Sequence, residues 1–242
     1  MTSVEILLGH FGAAPPQSIL DLGCGAGALV ESLRARGFDA WGCDIPGSDA
    51  SDFTADAATK GCLRPIEMQP YRLPFENNRF DYVISSQVLE HVMDYDATFA
   101  EIRRVLKPGG ISLHTFPARH VLIEPHVFVP LASVIRCRPW LRLWALLGVR
   151  NGYQAGKSAR EVAELNRAYL TGHTRYLPAR RILAHARVFA EAAFREDAFF
   201  LPDAAERQAR SLRKRLFVRL GGDRLRLWLF RTFNLRALYL KK

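Results

Sequence analysis

The 242-residue chain predicts an α/β fold built on a mostly parallel, doubly wound sheet with helical insertions. Three observations carry this expectation. Short apolar runs recur with helical segments between them; the run Ser18 to Leu22 empties into the turn Gly23-Cys24-Gly25-Ala26-Gly27; and the ends of the runs carry Asp21, Asp44, Ser85-Ser86-Gln87 and Thr115-Phe116-Pro117. Strands alternating with helices bury both faces of a parallel sheet and leave ligands at the carboxyl ends of the strands.

Ser18 to Leu22 reads as a buried strand, and Ala28 to Arg36 as the amphipathic helix behind the glycine turn. Glycines at 23, 25 and 27 remove side chains where the backbone-hugging part of a ligand would lie, and the start of the helix offers unpaired N–H groups. Asp21 at the strand tip repels a pyrophosphate and attracts an ammonium, which argues against a dinucleotide; the competing role for Asp21 is a helix cap. Phe38 to Cys43 reads as the second strand. It closes on Asp44, 17 residues after Gly27 and near the ~20-residue offset at which an acidic strand-tip residue meets a ribose. Phe80 to Ser85 is the next clear strand, after the turn Glu76-Asn77-Asn78-Arg79. Tyr95 to Val105 reads as a helix with Phe99, Ile102 and Val105 on one face, stopped by Lys107-Pro108-Gly109-Gly110. Ile111 to Phe116 follows as a strand.

Beyond Pro117 the alternation breaks. Residues 119–175 are rich in aromatics, Pro and Arg and too long for a plain connection, so they read as a lid or substrate-binding insertion. Within them Val127 to Val149 mixes Trp and Leu with Arg136, Arg138 and Arg142, which suits a helix in a membrane interface or a buried lid helix. Leu177 to Phe194 reads as one helix with Pro178 in its first turn, Asp197 to Leu201 as a strand, 203–220 as a basic helix and Asn234 to Leu240 as the closing strand. The stretch 224–231 fits either a strand or a helix. The expected organisation is a single domain over 1–242, with the insertion at 119–175 and a basic helical insertion at 203–231 before the closing strand at 234–240.

Residues 1–149 carry 13 Lys and Arg against 16 Asp and Glu, whereas 150–242 carry 21 against 8, so the net charge of +10 belongs to the C-terminal part. An anionic partner for that part, a membrane surface ahead of nucleic acid, competes with a solvated arginine-rich face. Cysteines at 24, 43, 62 and 137 show neither CxxC spacing nor a His-Cys cluster. No metal site and no disulfide frame is indicated, and a reducing compartment is expected. With no signal-peptide pattern and no apolar run long enough to span a bilayer, the expected location is the cytoplasm, with peripheral contact at the inner face of the membrane as an option.

LDLGCGAG, Asp44, YRLPFENNRFDYVISSQVLEHV and EIRRVLKPGG stand in order along the chain. This succession resembles class I S-adenosylmethionine-dependent methyltransferases, in the subgroup with LPF, LEHV and RVLKPGG blocks, over residues 17–118. The resemblance implies a Rossmann-like seven-stranded sheet and S-adenosyl-L-methionine as cofactor. It implies methyl transfer to a small-molecule, lipid-linked or glycan acceptor, expected at oxygen; RNA or protein is the alternative acceptor, and a non-catalytic basic scaffold the third reading. Asp21, Gly23, Cys24, Gly25 and Gly27 would hold the amino acid part of the cofactor, Asp44 with Ile45 the ribose, and Ser86 and Gln87 would lie beside the methionine and sulfonium. Where the family commonly has an acidic residue near the adenine amine, this chain has Gln69, whose amide oxygen can accept from that amine.

Methyl transfer from a sulfonium is an in-line displacement in which alignment can supply up to ~7 to 11 kcal/mol. A base is needed only when the acceptor must lose a proton. His91, within one turn of Ser86-Gln87, is the first candidate, against the reading of a packed histidine at a helix start. Glu124 and His126, with His120, enter the insertion where an acceptor would lie, and Glu124 and His126 complete the candidate catalytic set. His114 reads as a satisfied core residue, and Tyr71, Tyr153, Tyr169 and Tyr176 as pocket wall or core.

Overall fold

The computed structural model describes residues 1–46, 61–200 and 223–242. Strand β1 (Ser18–Leu22) is buried along its whole length in the interior of the sheet, third from one edge. To one side lie β2 (Asp39–Asp44) and β3 (Leu63–Pro65); to the other lie β4 (Phe80–Ser86), β5 (Leu106–Pro117), β7 (Leu235–Lys241) and, at the edge, β6 (Glu191–Phe194). The seven-stranded order is therefore β3-β2-β1-β4-β5-β7-β6, parallel except for β7, which runs antiparallel to both its neighbours. This is the Rossmann-like, doubly wound architecture that the sequence predicts.

Helices α1 (Ser3–His10), α2 (Ala28–Ala35) and α7 (Asp223–Phe233) cover one face; α3 (Tyr95–Val105) and α6 (Ala179–His185) cover the other. Side chains alternate between the two layers as the pleat requires. Leu20, Leu22, Val83, Leu238 and Leu240 join the core with Phe99, Ile102 and Ile182, while Ile19, Tyr82, Ile84, Ala237 and Tyr239 join the core with Leu7, Leu33 and Phe230. Local signals start the helices: Thr2 and Glu5 form a reciprocal capping box on α1, and Asp94 accepts from the Ala97 N–H at the start of α3. Helices α4 (Arg138–Leu146) and α5 (Ala159–Gly172) form a hairpin with a separate small core of Val127, Val129, Ala132, Leu141, Ala163 and Leu170.

Several elements differ from expectation. The helix expected over Leu177 to Phe194 ends at His185, passes through a 3-10 turn at Ala186–Val188 and becomes β6. The reason is non-local: the free edge of β7 takes Glu191–Phe194 into the ladder, and the Ala190 N–H donates to Lys241 O. Asp197 to Leu201, read as a strand, is a 3-10 turn over Glu196–Phe200, where the buried Glu196 carboxylate accepts from the Ala237 N–H and Arg236. In Val127 to Val149 only Arg138–Leu146 is helical; Phe128 and Leu131 before it have positive φ. Strand β5 starts at Leu106, directly after α3, rather than at Ile111. The ambiguous stretch 224–231 lies inside helix α7. The basic helix expected at 203–220 lies outside the described residues.

Arg104 ties α3 to the loop before β4. Its Nε and Nη2 donate to the Glu101 carboxylate, a second Nη2 proton goes to Leu73 O, and Nη1 donates to Phe75 O and Asn77 Oδ1, all within 2.9 Å. Glu101 in turn accepts from the Leu73 N–H at 2.8 Å. The LPF and RVLKPGG blocks are thus two halves of one clamp. Replacing Arg104 with Ala is expected to cost about 2 to 4 kcal/mol, because several carbonyl groups lose a charged donor. Urea denaturation at neutral pH measures this, with Arg103→Ala, on the exposed side of α3, as the near-neutral comparison.

Candidate functional site

The tips of β1 and β2 build one side of the site. Asp21 is only 4% exposed. Burial, and then the neighbouring charge of Asp44, pushes its carboxyl up to about 8. Asp44 is also buried, but its oxygens accept from the Gly25 N–H and the Ile45 N–H, each at 2.7 Å. Both oxygens keep further acceptor capacity. The Gly23 and Cys24 N–H groups donate to Cys43 O at 2.8 and 3.3 Å, so the glycine turn is strapped to β2. No side chain caps α2, which excludes the capping role for Asp21 and leaves the first N–H groups of the helix uncapped.

Two glycines serve the protein's own packing rather than ligand space. A Cβ on Gly23 (φ +75°) would sit 2.3 Å from Val88 Cγ2, and one on Gly27 (φ +88°) 2.6 Å from Leu63 Cδ1. Gly23 therefore lets the segment after β4 close against the turn after β1. In that segment Gln87 has φ +60° and its N–H donates to Thr115 O at 2.8 Å, while Ser86 Oγ faces Thr115 Oγ1 at 3.4 Å.

The other side of the site is a chain of polar contacts running from β4 into the insertion. Glu124 is fully buried; its Oε1 accepts from His126 Nδ1 and the Tyr176 hydroxyl, each at 2.7 Å, and its Oε2 from the His126 and Val127 N–H groups, each at 2.8 Å. Burial alone would raise its pKa, but the bonds and charge of His126, with Tyr176 and the Val127 N–H, hold it below the ordinary value. Burial and the Glu124 charge push the Tyr176 phenol up, so this hydroxyl stays a donor. His91 Nε2 lies 3.1 Å from His126 Nε2, and His91 Nδ1 lies 2.7 Å from His173 O. Burial lowers the pKa of His91. Beside it Glu90 is 1% exposed, neither carboxylate oxygen has a hydrogen-bond partner, and burial pushes its carboxyl up to about 8. A small cleft, partly open to solvent, adjoins Glu90 and is walled by Tyr95, Phe116, Arg119, Tyr176 and Arg236.

Residues 20–113 match the family model described as a methyltransferase domain. Residues 20–113 thus carry a methyltransferase domain. Sterol 24-C-methyltransferase erg6 of Schizosaccharomyces pombe is 28% identical to it over 110 residues, covering 42% of this chain and 28% of that protein. Ubiquinone biosynthesis O-methyltransferase of Chelativorans sp. is 31% identical over 115 residues, covering 42% of this chain and 44% of that one. The chain thus spans less than half the length of each of these two relatives. In fold it is similar to the crystal structure of an S-adenosylmethionine-dependent methyltransferase from Mesorhizobium loti, with a TM-score of 0.55 at 16% identity over 98% of this chain and 96% of that one.

Within the chain the expected residues fall into two groups. Asp21, Gly23, Cys24, Gly25, Gly27, Asp44 and Ile45 gather at the tips of β1 and β2, with Ser86 and Gln87 at the tip of β4. His91, Glu124 and His126 meet in the polar chain, although Glu124 and His126 lie beyond the matched residues. Gln69 sits exposed in the turn of a small hairpin, Glu67–Met68 with Tyr71–Arg72. His120 and Tyr153 are exposed and Tyr71 packs on the core, so none of the three joins the array; Tyr169 stacks on His173 and leans on the His126 ring. His114 is a satisfied core residue: the Ser112 hydroxyl donates to Val83 O and accepts from His114 Nε2–H, and Nδ1 accepts from Ser85, which keeps the ring neutral with its pKa held down to about 3 by burial. Glu90 and the carbonyl of His173 escaped the sequence reading. Glu90 lies inside the LEHV block, and only packing reveals that its oxygens lack partners.

The raised pKa of Asp21 fixes the sign of a pH dependence. Its contribution to stability is complete below the unfolded value of 3.8 and is lost as pH rises through about 8. Relative to Asp21→Asn, the ligand-free wild type should therefore lose stability across that window, with a slope of up to about 1.4 kcal/mol per pH unit. Parallel urea titrations of the two proteins at several pH values test the slope; equal curves would remove the buried-carboxylate description.

Proposed function

We propose that the protein moves a methyl group from S-adenosyl-L-methionine to an oxygen of a small-molecule or lipid-linked acceptor. The observation that carries this reading is the pair of buried carboxylates, Asp21 and Asp44, at adjacent strand tips beside an uncapped helix start. When bound, the cofactor supplies an electrophilic methyl on a sulfonium, and its leaving thioether needs no acid. Asp21 would hold the ammonium, exchanging its proton for a cation that stabilises the carboxylate in place. Asp44, with two oxygens already oriented by the Gly25 and Ile45 N–H groups, would accept the ribose hydroxyls. Ser86 and Gln87 would flank the methionine, and the exposed Gln69 would have to swing in to meet the adenine.

On the acceptor side His91, His126 and Glu124 form the array that orients a hydroxyl and takes its proton. Both imidazoles commit Nδ1–H to oxygens that only accept, so the facing Nε2 atoms, 3.1 Å apart, form the one basic centre the two rings share. The neighbouring cleft has aromatic walls and the Arg119 guanidinium, which suits the apolar edge and the polar or anionic end of an acceptor that approaches from solvent. The relatives named for sterol and ubiquinone chemistry support an apolar body. Among the described residues no helix is long and apolar enough to cross a membrane. Leu143, Leu146 and Leu147 are nonetheless exposed on and just after α4 beside Arg142, which favours an acceptor met at a lipid surface.

Isothermal titration with S-adenosyl-L-methionine tests the donor side. Asp44→Ala should weaken binding about 10- to 100-fold, the worth of hydrogen bonds to a charged acceptor. Binding indifferent to Asp44 would remove the proposed donor site. A screen of lipid, glycan and small-molecule extracts with methyl-labelled cofactor finds the acceptor, and with that acceptor His91→Gln should lower turnover about 10²- to 10⁴-fold while leaving cofactor affinity unchanged.

A further inference from the structure

His91 and His126 face each other with Nε2 atoms 3.1 Å apart. The partners on the far side of each ring fix the tautomers. His91 Nδ1 is bonded to the His173 carbonyl and His126 Nδ1 to the Glu124 carboxylate, and neither oxygen can donate. Both Nδ1 atoms therefore carry hydrogen, and in the neutral rings two Nε2 lone pairs point at one another. Such a contact is repulsive unless something positive lies between or beside the two nitrogens. A shared proton is one solution. A metal cation is the other, and four further observations favour it.

A carboxylate oxygen of Glu90 and one ring nitrogen of each histidine lie within 4.8 Å of one another. Glu90 is 1% exposed and both its oxygens lack a partner, although burying an unpaired carboxylate is expensive. A first-row ion held at about 2.0 to 2.1 Å from each imidazole separates the two nitrogens by about 2.9 to 3.4 Å for angles from square to tetrahedral, a range that contains the observed distance. The backing of each ring also fits. Metal-bound histidines give their other N–H to a carboxylate or a backbone carbonyl, which is what Glu124 and His173 receive here.

We propose that His91 Nε2, His126 Nε2 and the Glu90 carboxylate bind one divalent transition-metal ion of the zinc class. A small rotation of the Glu90 side chain closes the remaining gap. Two neutral imidazoles with the Glu90 and Glu124 carboxylates balance a charge of two, and three protein ligands leave a position open. Glu90 also lines the cleft walled by Tyr95, Phe116 and Tyr176, so that position is within reach of a water or an acceptor hydroxyl, whose pKa the ion would lower. The histidine array would then act on the acceptor through the ion. The ligands come from residues 90, 91 and 126, and no cysteine takes part.

Metal binding can be read without any methyl transfer. The full chain, stripped with a chelator, is dialysed against Zn²⁺ and its metal content measured, and Co²⁺ is then used as a spectroscopic substitute. One equivalent per chain is expected, with visible Co²⁺ bands of a nitrogen and oxygen set and no thiolate charge-transfer band. His91→Gln, His126→Gln and Glu90→Gln should each weaken binding by at least about 100-fold, and Glu124→Gln by about 10- to 100-fold, the usual worth of an outer partner. Absence of stoichiometric binding by the wild type, a thiolate band, or affinity unchanged in the three ligand variants would overturn the site in favour of a shared proton. The wild-type Co²⁺ spectrum decides the matter even where a variant fails to fold. Loss of cofactor binding in Asp44→Ala leaves this result untouched, so the two proposals fail separately.

Discussion

A carboxylate buried at the tip of β1, an interior strand, sets the terms on which the rest of this fold is built. β1 is covered on both faces, and an ionised Asp21 there has neither water nor a cation to balance it. Two carboxylates so close cannot both ionise cheaply, and the neighbours decide which one does. Asp44 receives two backbone N–H groups, whereas Asp21 receives the burial, which favours its protonated form. The same N–H groups belong to the glycine turn and the end of β2, so the geometry that orients Asp44 also shapes the turn. The pocket is thus assembled before any ligand arrives, and what it lacks is positive charge. An uncapped helix start would by itself invite an anion; the two carboxylates reverse that preference.

Glu124 plays the corresponding part on the other side. Four donors converge on it from His126, Val127 and Tyr176, and through His126 it reaches His91 and the His173 carbonyl. Segments far apart in the chain are held by one buried carboxylate. The α4–α5 hairpin has its own apolar core, so its attachment to the sheet near the site is largely polar: besides this array, the Arg175 N–H donates to Glu90 O, and its guanidinium to Met93 O. Polar contacts fix direction and spacing more sharply than apolar packing does. The array is accordingly the place where a change in the hairpin is passed to the residues beside β4.

The parts of this structure that local chemistry determines could be read from the sequence. β1 and α3 fall on the residues expected, because an apolar run ending in glycines and a helix entered through Asp94 carry their boundaries with them. β6 could not be read in this way. Glu191-Ala-Ala-Phe has the composition of a helix, and its strand state is imposed by the open edge of β7, which lies more than forty residues on. Glycine carried a second, hidden constraint: at Gly23 and Gly27 the excluded Cβ would strike Val88 and Leu63, neighbours that only the folded chain brings near.

The same distinction separates the two sides of the site. Asp21, the glycine turn, Asp44 and Ile45 all come from one strand-turn-helix-strand unit, so their order along the chain is nearly their arrangement in space. Glu90, His91, Glu124, His126, His173 and Tyr176 come from separate segments, and no spacing rule places a glutamate at 90 beside a histidine at 126. The family match follows this line, for it covers residues 20–113 and stops before Glu124. A methyl donor site held within one compact unit can persist while the insertion and its acceptor-facing groups change around it. On the proposed reading, what this chain modifies is set where residues 119–176 pack against the tips of β4 and β5, beside the buried Glu90 and the paired imidazoles.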